Sequence, residues 1–195
     1  MKGSIITVGY GNRSLEDLIA LLRGESVQYL IDVRTSPHSR FKPEFSAAPL
    51  QASLKAAGIR YVFMGDSLGG RPPDPACYQD GHVVYDVVQK QPFFTAGIER
   101  LVKAFGQDLQ VCLLCSEGRP TDCHRSKLIG VALEAIGIPV VHLGAGGERL
   151  TQAEVIASLE SSQGDLFGQQ LRSRKAYRTK TMTGGSYQHG RPGDA

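Results

Sequence analysis

Leu109-Gln-Val-Cys-Leu-Leu114, then Cys115-Ser-Glu-Gly-Arg-Pro-Thr-Asp-Cys-His-Arg125, then Ser126-Lys-Leu-Ile-Gly-Val-Ala-Leu-Glu-Ala-Ile136 reads as a strand, a loop and a helix in succession. The first stretch is a short, nearly continuous apolar run, as in a strand buried on both faces. The last has the length and composition of a helix. The loop between them therefore lies at the carboxyl end of a strand and the amino end of a helix, where α/β proteins place ligand and reaction sites. It gathers Cys115, Glu117, Arg119, Cys123, His124 and Arg125 into eleven positions.

The same alternation continues in both directions. Strands are expected at Ile5–Val8, Tyr29–Val33, Ile59–Met64 and Pro139–Leu143, besides the one before Cys115. Helices are expected from Ser14, with Asp17 making a near capping box, through Leu22, and over Pro49–Ala57, Val83–Gln89, Phe93–Phe105 and Thr151–Leu159. Five strands alternating with helices imply right-handed crossovers and an α/β fold: a mainly parallel five-stranded sheet flanked by helices as a three-layer sandwich. The reading assigns residues 1–160 to this single domain and 161–195 to a basic, flexible tail, since the chain loses its periodicity beyond Ser161.

In a parallel sheet all strand-to-helix loops emerge at one edge. The first strand delivers Arg13, the second Arg34, His38 and Arg40, the third Asp66 and the Gly69-Gly70-Arg71 turn, and the fourth the Cys115–Arg125 loop. Arg13, Arg34, Arg40 and Arg125 would face one crevice and attract anions, because a planar guanidinium binds two oxygens at once. Gly69 and Gly70 would let backbone approach the ligand.

Three chemistries fit the loop. Cys115 and Cys123 are candidate nucleophiles, with a thiolate stabilised by the helix amino terminus and neighbouring cations, and Glu117 or His124 as acid or base. The protein would then be a Cys-dependent hydrolase or transferase acting on a phosphorylated, nucleotide-like or other anionic substrate. A small metal site made of Cys115, Cys123 and His124 is an alternative; Cys112 is excluded from it, because positions 112 and 115 of a strand point to opposite faces. The third is a non-catalytic module that binds a nucleotide or nucleic acid. Cys77 and Cys112 read as buried small residues without a role. No nicotinamide or flavin cofactor is expected, because Gly9-Tyr10-Gly11 lacks the third glycine of a dinucleotide fingerprint.

Thr7 to Ser14, Asp32-Val33-Arg34 with Pro37 and Arg40, Leu68-Gly69-Gly70, and Cys115-x-Glu117 followed by Cys123-His124-Arg125 together resemble the family known as domain of unknown function 488, over about residues 4–143. The resemblance implies a bacterial-type α/β domain with a shared site on those positions. Tyr10 stands where the first loop of that family more often carries His.

Composition sets the remaining bounds. At 195 residues the chain can bury its own core, and with 41% hydrophobic and 21% charged residues it is ordinary globular material. Its four cysteines are too few to staple it, and no apolar run is long enough to span a bilayer, so a reduced, cytoplasmic setting is expected. The net charge of +3 is uneven. From Leu171 onward there are six basic residues (Arg172, Arg174, Lys175, Arg178, Lys180 and Arg191) against Asp194 alone. The segment from Arg172 to Lys180, with Tyr177, could track a nucleic-acid backbone. Gln163-Gly-Asp-Leu-Phe167 looks like the short peptides with which bacterial repair and replication proteins dock on the sliding clamp.

Overall fold

The structure is a computed structural model, and it describes residues 3–163 and 171–177. Its centre is a six-stranded sheet in the order β3-β2-β6-β1-β7-β8. The strands are β1 Ile5–Gly9, β2 Tyr29–Asp32, β3 Arg60–Phe63, β6 Val111–Cys115, β7 Val140–Leu143 and β8 Arg149–Thr151. The first five run parallel and β8 returns antiparallel along β7, one strand more than the sequence suggests. At three residues, β8 is too short to carry a period-two signal.

Strand β6 shows why the sheet forms as it does. All five of its residues are buried, and they alternate between two cores. Val111, Leu113 and Cys115 face one, while Cys112 and Leu114 face the other. Helices cover both faces: α1 Leu15–Gly24 and α2 Ala47–Ala56 on the side of Leu18, Leu22, Leu50 and Leu54, and the short α3 Gly65–Leu68 and the longer α5 Pro92–Gly106 on the side of Leu68, Phe94 and Leu101. The Ser14–Asp17 capping box is present in both directions. Thr151 likewise exchanges bonds with Glu154 at the start of α7 Gln152–Gln163.

Two stretches depart from expectation. Instead of a helix from Val83, the chain makes a small hairpin of β4 Tyr78–Gln79 and β5 His82–Val83, followed by short α4 Tyr85–Val88. Asp80 and Gly81, with φ of 51° and 76°, form its turn, the Asp-Gly pairing that favours tight hairpins. Nor is the expected flexible tail free throughout. Residues 171–177 pack along this hairpin, with Ser173 N–H donating to the Val83 carbonyl, Tyr85 N–H to the Leu171 carbonyl, and Tyr177 N–H to the Gly81 carbonyl. The Gln163–Phe167 peptide lies outside the described residues beyond Gln163, as do Arg178, Lys180 and Arg191.

After Cys123 the helix begins as a π-helical segment, Arg125–Gly130, before continuing as α6 Val131–Ala135. Such widened turns are rare and frequently mark functional sites; here Gln152 Nε2 donates to the Ser126 carbonyl at 3.0 Å. Its Oε1 accepts from His142 Nε2 at 2.6 Å, and His142 Nδ1 accepts from the Thr7 hydroxyl at 2.7 Å. This relay is buried throughout and holds His142 neutral, away from the site. Burial pushes its pKa down to about 4.

The unfolded chain, with an ordinary His value of about 6.5, binds that proton first as the pH falls. The stability that neutral His142 contributes is therefore complete above about pH 6.5 and is lost on descending towards the folded value. Between pH 7 and pH 5 the loss is about 2 kcal/mol, read as a falling urea midpoint. His142→Gln should lose much of that slope; parallel curves for the two proteins would show that His142 is not its source.

Candidate functional site

Strands β2, β6 and β1 are adjacent, and their registers pair Gly9 with Cys115 and Asp32 with Leu114, so their carboxyl ends finish level. The loops leaving them meet over a cavity of about 350 Å³. Its lining includes Arg34, Gly70, Cys115, Glu117, Cys123 and His124, six of the residues expected at the site.

Cys115 closes β6, and Cys123 follows a 3-10 turn, Pro120–Asp122, which brings the chain back over it. His124 lies between them. Its Nε2 sits 3.0 Å from the Val33 carbonyl, which can only accept, so Nε2 carries the proton. Nδ1, on the other side of the ring, faces both Cys115 Sγ at 3.8 Å and Cys123 Sγ at 3.7 Å, where it can take up a thiol proton and then donate it back to a thiolate. The Cys115 thiol is lowered well below its ordinary value, first by a hydrogen bond from Cys123 and then by His124 and Arg125, against the opposing effect of burial. Burial and the neighbouring Cys115 push the Cys123 thiol up. The two thiols titrate as a coupled pair, in which the negative charge is favoured on Cys115 and the proton on Cys123. Cys112 is on the opposite face and raised by burial alone in the main, and Cys77 is buried outside the cavity.

Gly70 presses directly on the imidazole: a Cβ there would come within 2.8 Å of both Cγ and Nδ1 of His124. Gly70→Ala is accordingly expected to turn or push the ring off Val33 and slow thiol alkylation at pH 6.5 by about tenfold, a one-unit rise in thiol pKa. An unchanged rate would mean that the ring does not govern the thiols. Gly69 does not line the cavity and packs instead on the backbone at Gly65 and Thr35.

The arginines separate by role. Arg34, 4% exposed, is fixed by Asp32 through Nε at 2.8 Å and Nη2 at 2.5 Å, with Tyr61 donating to the same carboxylate at 2.8 Å. Its guanidinium lies 5.5 Å from the Tyr10 ring, and its Nη1 is buried without a hydrogen-bond partner among the described residues. Arg125 is fully buried and does not line the cavity. Its Nη1 donates to the Glu117 carbonyl and its Nη2 to the Gly118 carbonyl at 2.9 Å, so it shapes the loop from behind. Gly9 makes this possible, because a Cβ there would fall 1.8 Å from the Glu117 oxygen.

Arg13 bridges the Gly9 and Gly144 carbonyls, joining the β1 and β7 loops away from the cavity. Arg40 is exposed and stacks 4.9 Å from the Phe41 ring. The single crevice expected to gather Arg13, Arg34, Arg40 and Arg125 therefore receives Arg34 alone of the four. Side-chain direction decides this, and sequence position does not reveal it.

Arg71, which the third strand was expected to deliver with Gly69-Gly70, lines the cavity with its guanidinium 5.5 Å from the Tyr177 ring. The structure adds two residues that the motif reading left out, Arg174 and Lys175, which line it from the far end of the chain. Glu117 is ion-paired by those last two, at 3.4 Å from Arg174 and 3.7 Å from Lys175. The basic composition around Arg172–Lys180 was the available signal; what it did not disclose is the return of the segment to the sheet edge. Among the described residues, no helix is long and apolar enough to cross a membrane.

Comparison with curated proteins and with solved structures gave no match. A family model described as Domain of unknown function DUF488 matches residues 14–132. That span holds the whole Cys115–Arg125 loop together with Arg34 and Gly69-Gly70, which carried the resemblance in sequence. With well over half of its length matched, the chain belongs to the DUF488 family.

Proposed function

We propose that the protein is an enzyme, a hydrolase or transferase, that uses Cys115 as a nucleophile on an anionic small substrate. The observation that carries this reading is the convergence of two sulfurs on one nitrogen of His124, Nδ1, at the floor of a cavity lined by cations. A thiolate is the reactive form of cysteine, and here a thiol donor, an imidazole and a buried guanidinium all favour it at Cys115. Cys115 Sγ would bond to the electrophilic atom of the substrate, and the Cys123 thiol would give its proton to the departing group. Glu117 would act on the wall through its ion pairs rather than at the floor.

The test is alkylation by iodoacetamide across pH, with the modified residue identified by mass spectrometry. Cys115 should react first, with a midpoint well below the free-thiol value of about 8.5. If both thiols titrate near that value, the nucleophile reading fails.

A second reading rests on the mutual spacing of the same atoms. The donor atoms of Cys115, Cys123 and His124 all lie within 4.8 Å of one another. A tetrahedral zinc ion, with bonds of about 2.3 Å to sulfur and about 2.0 Å to nitrogen, sets its ligands about 3.5–3.8 Å apart. The hydrogen bond that the outer ring nitrogen donates to the Val33 carbonyl would fix His124 as a ligand. Elemental analysis of the purified protein separates the two: stoichiometric zinc together with unreactive thiols favours the metal.

A further inference from the structure

We propose that residues 171–177 complete the site as an anion-binding rim, in which Arg174 and Lys175, with Arg71, receive a phosphate or carboxylate group of the substrate. This deepens the reading of the cavity as a substrate site and rests on it.

The segment is built in rather than laid on. Besides its backbone bonds to the hairpin, Ser173 accepts at its hydroxyl from Val83 N–H at 2.9 Å, and its carbonyl accepts from His82 Nδ1 at 2.8 Å. Ser173 is 6% exposed, so the two basic residues that follow it start from a fixed point.

Charge then decides what the rim does. Four cationic side chains (Arg34, Arg71, Arg174, Lys175) and two carboxylates (Glu117, Asp122) line the cavity. Arg34 is matched by Asp32 beneath it, so without the segment Arg71 alone would face Glu117 and Asp122 at the mouth. With Arg174 and Lys175 in place, three cations stand against two carboxylates there, and the mouth attracts anions.

The geometry of these ion pairs suits exchange. Arg174 reaches Glu117 at 3.4 Å and Asp122 at 3.9 Å, and Lys175 reaches Glu117 at 3.7 Å, all longer than the 2.5 Å of Arg34 on Asp32. Contacts that long are weak, and a well-placed anion makes better ones. Arg174 and Lys175 are also half exposed or more, at 50% and 63%, whereas Cys115 is 4% exposed. The order from mouth to floor is therefore cations, then thiols, which fits a substrate whose charged group stays outside while its reacting end enters. Residues 171–177 lie beyond residue 132, where the family match ends.

Two alkylating reagents with the same reacting carbon test this on the full chain: iodoacetate, an anion, and iodoacetamide, which is neutral. The Arg174→Gln, Lys175→Gln double variant should lower the iodoacetate-to-iodoacetamide rate ratio at Cys115 by about fivefold at low salt, and Arg174→Lys should keep it. A ratio unchanged in the double variant overturns the rim, even if both rates fall together or the melting temperature drops. Failure of the nucleophile reading looks different, because then neither reagent labels Cys115 of the unaltered protein faster than a free thiol. Inorganic pyrophosphate, measured in parallel, decides the rim in that case. It should raise the melting temperature of the unaltered protein and not that of the double variant; no rise in the former, or equal rises in both, overturns the proposal.

Discussion

Arg125→Leu is expected to destabilise the protein by about 2–4 kcal/mol and to loosen the loop between Ser116 and Asp122. Arg125 is fully buried, and its two terminal nitrogens hold the Glu117 and Gly118 carbonyls. Leucine fills part of the space but donates nothing, so both carbonyls lose their donor while the loop remains pressed against Gly9. At about 2–4 °C per kcal/mol for a domain of this size, the melting temperature should fall by about 5–15 °C. Limited proteolysis should find a new cut within the loop. Arg125→Lys keeps the charge but cannot hold two carbonyls in one plane, and should lie between the two. A leucine variant as stable as the parent and equally resistant in the loop would show that the guanidinium is not what shapes it.

Cys123→Ala is expected to raise the apparent pKa of Cys115 and to slow its alkylation at pH 6.5 by tenfold or more, about one pKa unit per decade. The Cys123 thiol is the largest influence lowering Cys115, so its loss removes the proton shared between the sulfurs. Cys112→Ala is the matched control, because that thiol is buried on the other face of the sheet. The two alanine variants should therefore separate clearly. If they react alike, the sulfurs at 115 and 123 do not act as a unit.

The parts legible in sequence are those fixed by burial and by capping. The run into Cys115 is apolar because β6 is covered on both faces, and Ser14 and Thr151 announce helices because a bare amino terminus needs an acceptor. The parts that were not legible depend on direction or on backbone pairing. Arg34 and Arg125 look alike on the page, yet one lines the cavity and the other holds carbonyls behind it. Residues 171–177 dock by main-chain bonds, and main-chain bonds leave little mark on composition. The Asp80-Gly81 turn was readable, but Val83 to Gln89 resembles a helix strongly enough to hide it. Chain order said nothing of the Ser126 carbonyl, which waits on Gln152, twenty-six positions later.

The position of β1 bears on how this protein should be divided for study. Residues 5–9 precede the matched span, and β7 follows it, yet β1 pairs with both β6 and β7 in the interior of the sheet. A fragment trimmed to residues 14–132 would expose the inner edge of β6 where β1 belongs and leave Arg125 without the Gly9 turn beside it. Such a piece should aggregate through that edge rather than fold. The smallest unit worth expressing runs from the first strand through Tyr177.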